Sequence, residues 1–179
     1  LDDEIINRYF ELLKERDKLF SDWEPSLFHN LVFHHMLTNR GYKSVQNYTR
    51  KTDIFALNRM FVPLCLPGHW ALIVVSFDTK TISYYDSCDP SAVYLQQCQL
   101  ILNYLTEEYR NKKNDRLDVS KWKFECVQCP KQNNCYDCGV FVCQYANFIS
   151  QDLPLSFSQQ DMPNFRKKMI SQLWQFFVN

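Results

Sequence analysis

Three short apolar segments separated by tight turns constrain the fold of this chain more than any other feature. They span 60–66, 70–77 and 81–85. Pro67 and Gly68 separate the first two, and the turn 78–80 separates the last two. Apolar segments of this length, bounded by turn residues, are typical of β-strands joined by hairpins. The sequence therefore predicts an antiparallel meander of three strands.

Helical patterns lie on both sides of the meander. Apolar residues at helical spacing follow Asp2 and Asp3, whose charges favour a helix N-terminus. A second helix is predicted over 25–39 and ends at Gly41; its inward face comprises Leu27, Phe28, Leu31, Val32 and Leu37. Further helices are predicted at 92–112, 139–149 and 161–177, and a further strand at 122–127. This order of helices, strands and helices indicates the α+β class.

Size and composition exclude several classes of function. With 179 residues, 46% of them hydrophobic, we expect a single domain covering 1–179 and acting as a monomer. The net charge of zero disfavours nucleic-acid binding, and no glycine-rich phosphate motif is present. No apolar run approaches the roughly 20 residues of a membrane span. Because the chain begins with Leu1, we expect an upstream segment that carries targeting or regulation.

Eight cysteines allow two kinds of chemistry. A chain this apolar does not need disulfides, so we expect most thiols to be reduced in a cytosolic or nuclear compartment. A Cys135–Cys138 or Cys138–Cys143 disulfide remains open as an oxidised state. Cys126, Cys129, Cys135 and Cys138 form two CxxC pairs, which would suit a zinc-binding interaction domain. Only five residues separate the pairs, against roughly 12–20 in the usual frameworks, so we expect no metal and no cofactor.

A histidine and an aspartate lie at neighbouring ends of two predicted strands. His69 opens the second strand and Asp86 follows the third. The start of one antiparallel strand lies beside the end of its partner, so the two side chains come within hydrogen-bond reach. A carboxylate beside an imidazole fixes its tautomer and stabilises the imidazolium. The alternative is that Asp86 only caps a turn.

Cys138 precedes a predicted buried helix, where the helix dipole favours a thiolate. Gly139 would permit a substrate backbone to approach closely. Gln132, six residues before the cysteine, could donate to an oxyanion together with the backbone N–H of Cys138. These residues supply a nucleophile and an oxyanion donor for the base His69 and its partner.

Other candidate residues receive structural interpretations. The histidines of the second predicted helix are interpreted as surface or satisfied core residues: His29, His34 and His35. The basic run 166–168 is interpreted as a solvated face. The aromatic residues Phe165, Trp174 and Phe176 are interpreted as core.

Several motifs together resemble the ubiquitin-like-protein-specific, or sentrin-specific, cysteine proteases. They are Gly-His-Trp at 68–70, Tyr-Tyr-Asp-Ser at 84–87, Gln132 and Asp-Cys-Gly at 137–139. The segments 1–7, 51–55 and 162–168 also match, so the resemblance extends over nearly the whole chain.

The resemblance implies a papain-like arrangement, in which a central helix carrying the nucleophile packs against a mainly antiparallel sheet flanked by helices. It implies a thiol protease that cleaves after the C-terminal Gly-Gly of a SUMO-type modifier, acting on isopeptide-linked conjugates and on precursors. Carried over by position, His69, Asp86 and Cys138 form the triad and Gln132 serves the oxyanion hole. Trp70 would roof a tunnel that only glycine can enter, because glycine lacks a Cβ. The residues expected to contact the body of the modifier are Asp3, Tyr48 and Arg50.

Some positions depart from the family pattern. A Trp usually precedes the residue that matches Leu1, and Tyr48 stands where a Trp is common. Asn47 stands where a basic residue is common, and Cys65 replaces a polar residue near the cleft. Similarity over 139–146 to nuclear members implies a nuclear location, with the nuclear envelope or cytoplasm as alternatives. Alternative functions are a protease for another ubiquitin-like modifier, an acyltransferase on the same scaffold, or a non-catalytic binding module.

Overall fold

A computed structural model describes residues 1–19, 25–88 and 93–178. Within these ranges the elements follow one another as α1 (Asp3–Leu19), β1 (Ser26–Phe28), α2 (Leu31–Arg40), β2 (Arg59–Leu66), β3 (His69–Ser76), β4 (Thr81–Tyr85), α3 (Tyr94–Lys113), β5 (Lys123–Cys126), α4 (Cys138–Ile149) and α5 (Met162–Val178). Short 3₁₀ turns lie between several of them. None of the helices in these ranges combines the length and apolarity that crossing a bilayer requires.

The five strands form one sheet in the order β1-β2-β3-β4-β5. The predicted meander is confirmed: β2, β3 and β4 are antiparallel, with Leu66 opposite His69 and Ser76 opposite Thr81. The edge strands β1 and β5 pair in parallel with β2 and β4. Because β3 lies in the centre of the sheet, the backbone of His69, its first residue, is held in place by pairing with β2.

Helices cover both faces of the sheet, and alternate side chains of β3 enter the two cores. Leu72 and Val74 pack with α1, α4 and α5, whereas Ala71, Ile73 and Val75 pack with α2 and α3. A strand buried on both faces is apolar along its whole length, as this segment is. Nearly every residue of α4 is buried, as the sequence predicted, because the helix is enclosed by α1, α5 and the sheet.

The predicted helix over 25–39 is wrong at its start. Residues Ser26–Phe28 form β1, and α2 begins at Leu31, where the side chain of Asn30 accepts a hydrogen bond from the backbone N–H of Phe33. Three apolar residues fit either a strand or a helical turn, and parallel pairing with β2 decides for the strand by stacking Phe28 on Phe61 at 4.6 Å. The register of α2 also places Val32 outward, 45% exposed, where an inward position was expected.

The aromatic residues of the last helix do not all enter the core. Phe165 packs against the core, but Trp174 is 67% exposed and Phe176 is exposed as well. The buried residues of α5 are Met162 and Met169, so its apolar stripe is narrower than the composition suggested. The predicted helix over 92–112 is confirmed from Tyr94 onward, whereas residue 92 lies outside the described residues.

Candidate active site

The hairpin of β3 and β4 brings His69 and Asp86 together. The Nε2–H of His69 donates to Oδ1 of Asp86 at 2.6 Å. Asp86 is 3% exposed and also accepts from the hydroxyl of Tyr84 at 3.0 Å and the backbone N–H of Cys88 at 2.8 Å. Three donors on one buried carboxylate hold it ionised and fix its orientation. The predicted contact between His69 and Asp86 is therefore present.

This contact changes the proton affinity of both groups. The hydrogen bond to Asp86, followed by that to Cys138, raises the pKa of His69 to about 9. Burial alone would raise the pKa of Asp86, but the hydrogen bonds from His69, Cys88 and Tyr84 outweigh it and hold that pKa below its ordinary value. At neutral pH the pair therefore consists of an imidazolium and a carboxylate.

Cys138 is the first residue of α4 and is 6% exposed. Its burial opposes ionisation, yet its pKa lies below the ordinary value because of a hydrogen bond with His69 and the backbone N–H groups of Trp70 and Gly139. Cys138 thus contacts the same imidazole whose Nε2 is held by Asp86. A thiolate beside an imidazolium is a nucleophile prepared for attack.

A buried charge orders the loop that leads into Cys138. Asp137 is buried and accepts from Asn134 Nδ2 at 2.8 Å, from Gln159 Nε2 at 2.7 Å and from Arg166 Nε at 3.0 Å. Burial would raise the pKa of Asp137, but these donors outweigh it and lower that pKa. Arg166 also donates to the carbonyl of Tyr136 at 3.0 Å. The interpretation of 166–168 as a solvated face is therefore wrong for Arg166, which ties α5 to the nucleophile loop.

Gln132 lies on the same loop and bridges it to the turn after β4. Its backbone N–H donates to the carbonyl of Ser87 at 2.8 Å, and its side-chain oxygen accepts from the Ser87 hydroxyl at 2.5 Å. Its side-chain nitrogen donates to the carbonyl of Asn134. The amide is thus held with its nitrogen toward the loop that precedes Cys138.

Gly139 and Trp70 meet beside the nucleophile. A Cβ added at Gly139 would lie 3.1 Å from Ile6 Cδ1, 3.1 Å from Leu1 Cβ and 3.3 Å from Trp70 Cδ1. Such distances are tighter than ordinary van der Waals contact. The glycine therefore permits α1 and the indole to pack closely over the start of α4, in addition to any approach of substrate.

Two of the three residues expected to contact a modifier share one cleft. Asp3 and Tyr48 line a cleft of about 590 Å³ between α1 and the turn from β1 to α2, and Arg50 is exposed outside its lining. His29 also lines it, is 4% exposed and has no hydrogen-bond partner on Nε2. Its ring stacks on Phe33 at 3.6 Å, and burial lowers its pKa to about 3.

The interpretation of His29 as a surface or satisfied core residue is therefore wrong. His34 fits that interpretation, because it is buried and its Nε2 pairs with Gln97 Oε1 at 2.8 Å. His35 is exposed, in agreement with the same interpretation. No sequence pattern distinguished His29 from these two, since the three lie on one predicted helix.

The segment that carries Tyr48 is anchored to α3 by a buried glutamate. Glu108 is fully buried and accepts from the hydroxyls of Thr49 and Tyr42, each at 2.6 Å. Lys112 donates to the carbonyl of Thr49 at 2.6 Å. Sequence analysis missed this anchor, because a glutamate in a helix with a charged outer face resembles a solvated residue.

The eight cysteines, all in the described part of the chain, form no disulfide. The four sulfurs of the CxxC pairs do not converge on one cage: Cys135 is exposed, Cys129 donates to the carbonyl of Asp86 at 3.3 Å, and Cys138 faces His69. Sequence analysis also missed Cys88, whose Sγ lies 3.9 Å from Nδ1 of His69.

Comparison with known proteins agrees with this geometry. Residues 1–174 match the model of the Ulp1 protease family, C-terminal catalytic domain. The chain is 35% identical over 177 residues to human sentrin-specific protease 2, covering 97% of this chain and 29% of that protein. It thus spans less than a third of the length of that relative.

Two solved structures have the same fold. The C-terminal Ulp1 protease domain in complex with SMT3, the yeast orthologue of SUMO, has 29% identity and a TM-score of 0.82, covering 98% of this chain and 76% of that one. The SUMO protease Ulp1 with its catalytic cysteine oxidised to a sulfonic acid has 28% identity and a TM-score of 0.86, covering 100% of this chain and 79% of that one. These matches confirm the expected fold class, and the chain belongs to the Ulp1 protease family.

Proposed function

We propose that this chain is a thiol protease that cleaves after the C-terminal Gly-Gly of a SUMO-type modifier. It would release the modifier from lysine isopeptide bonds and from precursor peptides. The observation that carries the proposal is the pair of contacts made by the His69 imidazole, one through Nε2 with Asp86 and one with Cys138. The relatives named sentrin-specific protease, and the Ulp1 domain in complex with SMT3, support the choice of substrate.

The geometry gives each group a step in the reaction. The Cys138 thiolate attacks the carbonyl of the terminal glycine and forms a tetrahedral oxyanion. The backbone N–H of Cys138 and the side-chain amide of Gln132 donate to this oxyanion, each worth roughly 10²–10³ in rate. Gln132 must exchange its bond to Asn134, or use its second N–H, to do so.

His69 then acts as the acid and later as the base. Its imidazolium gives a proton to the leaving amine, and the thioester forms. The neutral imidazole next takes a proton from water, which attacks the thioester and releases the modifier with a free carboxylate. Asp86 keeps the proton on Nε2, so that Nδ1 alone serves the reaction.

Recognition would involve the groups around the nucleophile and the cleft beside α1. Trp70 packs against the start of α4, where a side chain on the substrate would collide with it, so glycine residues are favoured. Asp3 and Tyr48, with the exposed Arg50, would contact the body of the modifier. We propose that this single catalytic domain acts as a monomer in the nucleus, with the nuclear envelope or cytoplasm as alternatives; its eight free cysteines fit a reducing compartment.

The proposal is tested with SUMO that carries a fluorogenic C-terminal amide. We expect release by the parent chain and none by Cys138→Ala, while titration calorimetry shows that Cys138→Ala still binds SUMO. Cys135→Ser is the matched control, because its thiol is exposed three residues before the nucleophile and makes no contact with His69 in the described structure. Cleavage retained by Cys138→Ala would refute the assignment of the nucleophile.

A panel of modifiers separates the remaining functions. Faster cleavage of another ubiquitin-like protein than of SUMO would show a different modifier specificity. Transfer of an acyl group to an acceptor amine, without net hydrolysis, would show an acyltransferase. Binding of SUMO without turnover by the parent chain would show a binding module.

A further inference from the structure

A second cleft borders the loop that carries the nucleophile. It has a volume of about 340 Å³ and is formed by the residues before Cys138 and the segment that begins α5. It shares no lining residue with the cleft of Asp3 and Tyr48. We call it the loop–α5 cleft, and its lining includes Asn133, Tyr136, Gln159, Gln160, Pro163 and Arg166.

The loop–α5 cleft is continuous with the reaction centre. Asn134 lines it, and the carbonyl of the same residue accepts a hydrogen bond from the side chain of Gln132, the proposed oxyanion donor. Asp137, which immediately precedes Cys138, is also part of its lining. A peptide that occupies this cleft therefore lies beside the Cys138 thiol.

The residue after the nucleophile faces a different part of the molecule. A Cβ on Gly139 would lie 3.1 Å from Leu1, 3.1 Å from Ile6 and 3.3 Å from Trp70. The proposed route of the Gly-Gly tail and the cleft proposed for the modifier both lie along α1. An isopeptide-linked substrate has a polypeptide on each side of the scissile bond, so the second polypeptide needs a surface of its own.

Tyr136 offers such a surface. Its side chain is 65% exposed, although its backbone is fixed. The N–H donates to Oδ1 of Asn134 at 3.1 Å, and the carbonyl accepts from Arg166 at 3.0 Å. A tyrosine ring supplies a large contact area and loses little conformational entropy on binding. An exposed ring on a fixed backbone, two residues before the nucleophile, is thus suited to contact a bound peptide.

The charges in the loop–α5 cleft are already paired. Oδ1 of Asp137 accepts from Arg166 Nε at 3.0 Å, and Oδ2 accepts from Asn134 at 2.8 Å and from Gln159 at 2.7 Å. The exposed lining groups beside Tyr136 are uncharged: Asn133, Gln160 and Pro163. Side-chain amides both donate to and accept from peptide groups. This chemistry fits an uncharged, extended polypeptide better than a charged one.

We propose that the loop–α5 cleft, with the ring of Tyr136, binds the polypeptide on the leaving side of the scissile bond, in the uncharged residues that flank the modified lysine. The inference rests on the proposed function and adds a second recognition surface to it. The ring packs against the peptide, and the amides bond to its backbone. Recognition of a conjugate then depends on both of its halves, one along α1 and one against the loop–α5 cleft.

The test compares two conjugates that share the same isopeptide bond. In one, SUMO is linked to the side chain of a single lysine with blocked termini; in the other, that lysine lies within an uncharged peptide of alanine, leucine and serine. Because the leaving amine is the same, the ratio of the two kcat/KM values reports the flanking residues. We expect the parent chain to prefer the peptide conjugate at least about fivefold. Equal values in the parent would overturn the proposal.

Variants then locate the contact. Tyr136→Ala should abolish the preference, and Tyr136→Phe should retain it, because the ring makes the contact. Trp174→Ala is the matched control, since its side chain is 67% exposed on α5 but outside the cleft, and it should keep the parent preference. Circular dichroism confirms that each variant is folded. A preference undiminished in Tyr136→Ala, or lost equally in Trp174→Ala, would refute the assignment.

Failure of this proposal is separable from failure of the proposed function. Hydrolysis of the fluorogenic amide without any preference between the two conjugates would refute the cleft alone. Absence of all hydrolysis by the parent would refute the proposed function. Binding needs no turnover: in Cys138→Ala, titration calorimetry should show the peptide conjugate bound at least about fivefold more tightly than the single-lysine conjugate, and added Tyr136→Ala should remove the difference. Equal affinities in Cys138→Ala would contradict the cleft even in an inactive chain.

Discussion

Replacement of Asp86 by Asn should move the alkaline limit of activity downward. The substitution keeps the shape of the side chain and removes the charge that His69 Nε2 contacts at 2.6 Å. Asp86 is the first cause of the rise in the pKa of His69 to about 9. Without it, that pKa returns toward the ordinary value of about 6.5, and only the hydrogen bond with Cys138 opposes the fall.

The size of the effect follows from these two values. His69 must be protonated to donate to the leaving amine, so activity is lost as pH rises through its pKa. The alkaline limb of kcat/KM lies near the pKa of about 9 in the parent and moves toward about 6.5 in Asp86→Asn, a change of at most about 3.4 kcal/mol. Asn also presents the wrong partner to Nε2, so the plateau rate should fall by about 10²–10⁴-fold.

The assay is the pH dependence of kcat/KM on the fluorogenic modifier amide. Asp78→Asn is the matched control, because it removes one exposed carboxylate from the opposite end of the same hairpin and should leave the limb in place. If the alkaline limb of kcat/KM stays near pH 9 in Asp86→Asn, then either His69 is not the proton donor or Asp86 does not set the pKa of His69.

Three further substitutions test the surroundings of the site. His29→Phe removes a buried neutral imidazole whose folded pKa is about 3 and which takes up a proton when the chain unfolds below its ordinary pKa. As the pH falls from about 7 to 5, the free energy of unfolding of the parent should therefore decrease by about 2 kcal/mol more than that of the variant. Parallel urea titrations measure this, and identical pH dependence would contradict it. Arg166→Ala leaves the buried carboxylate of Asp137 without its charge partner. The free energy of unfolding should therefore fall by about 2–3 kcal/mol, and kcat should fall as well. The control is Lys167→Ala, which removes an exposed charge and should change neither quantity. Gly139→Ala should cost about 1–3 kcal/mol by overpacking and reduce kcat/KM; parent-like values for both would show that the contact with α1 is loose.

The sequence predicted those parts of the site that depend on neighbouring segments. A tight turn fixes the register of a hairpin, so the contact of His69 with Asp86 followed from two strand ends and one turn. The buried helix at Cys138 followed from its composition alone. The approach of that helix to the hairpin is a long-range contact, and only the resemblance indicated it.

The parts that sequence analysis missed are held by partners distant in the chain. Arg166 lies 29 residues from Asp137, and nothing in a run of basic residues shows that its first member is paired. Cys88 meets His69 across the same hairpin that was predicted, but a single cysteine after a strand indicates no direction for its side chain. The strand β1 was predicted as helix because three residues are too few to show either a helical or a strand periodicity. Its structure is decided by parallel pairing with β2.

The enclosure of α4 by α1 and α5 determines when the loop before Cys138 becomes ordered during synthesis. The meander leaves the ribosome early and needs only neighbouring strands to pair. Helix α1 is bound to α5 through the hydroxyl of Tyr9 and Gln172, and α5 supplies the arginine that orders the nucleophile loop. A nascent chain that stops before α5 thus carries its thiol on an unanchored loop. The surroundings of Cys138 are therefore complete only after α5 has been synthesised and has docked.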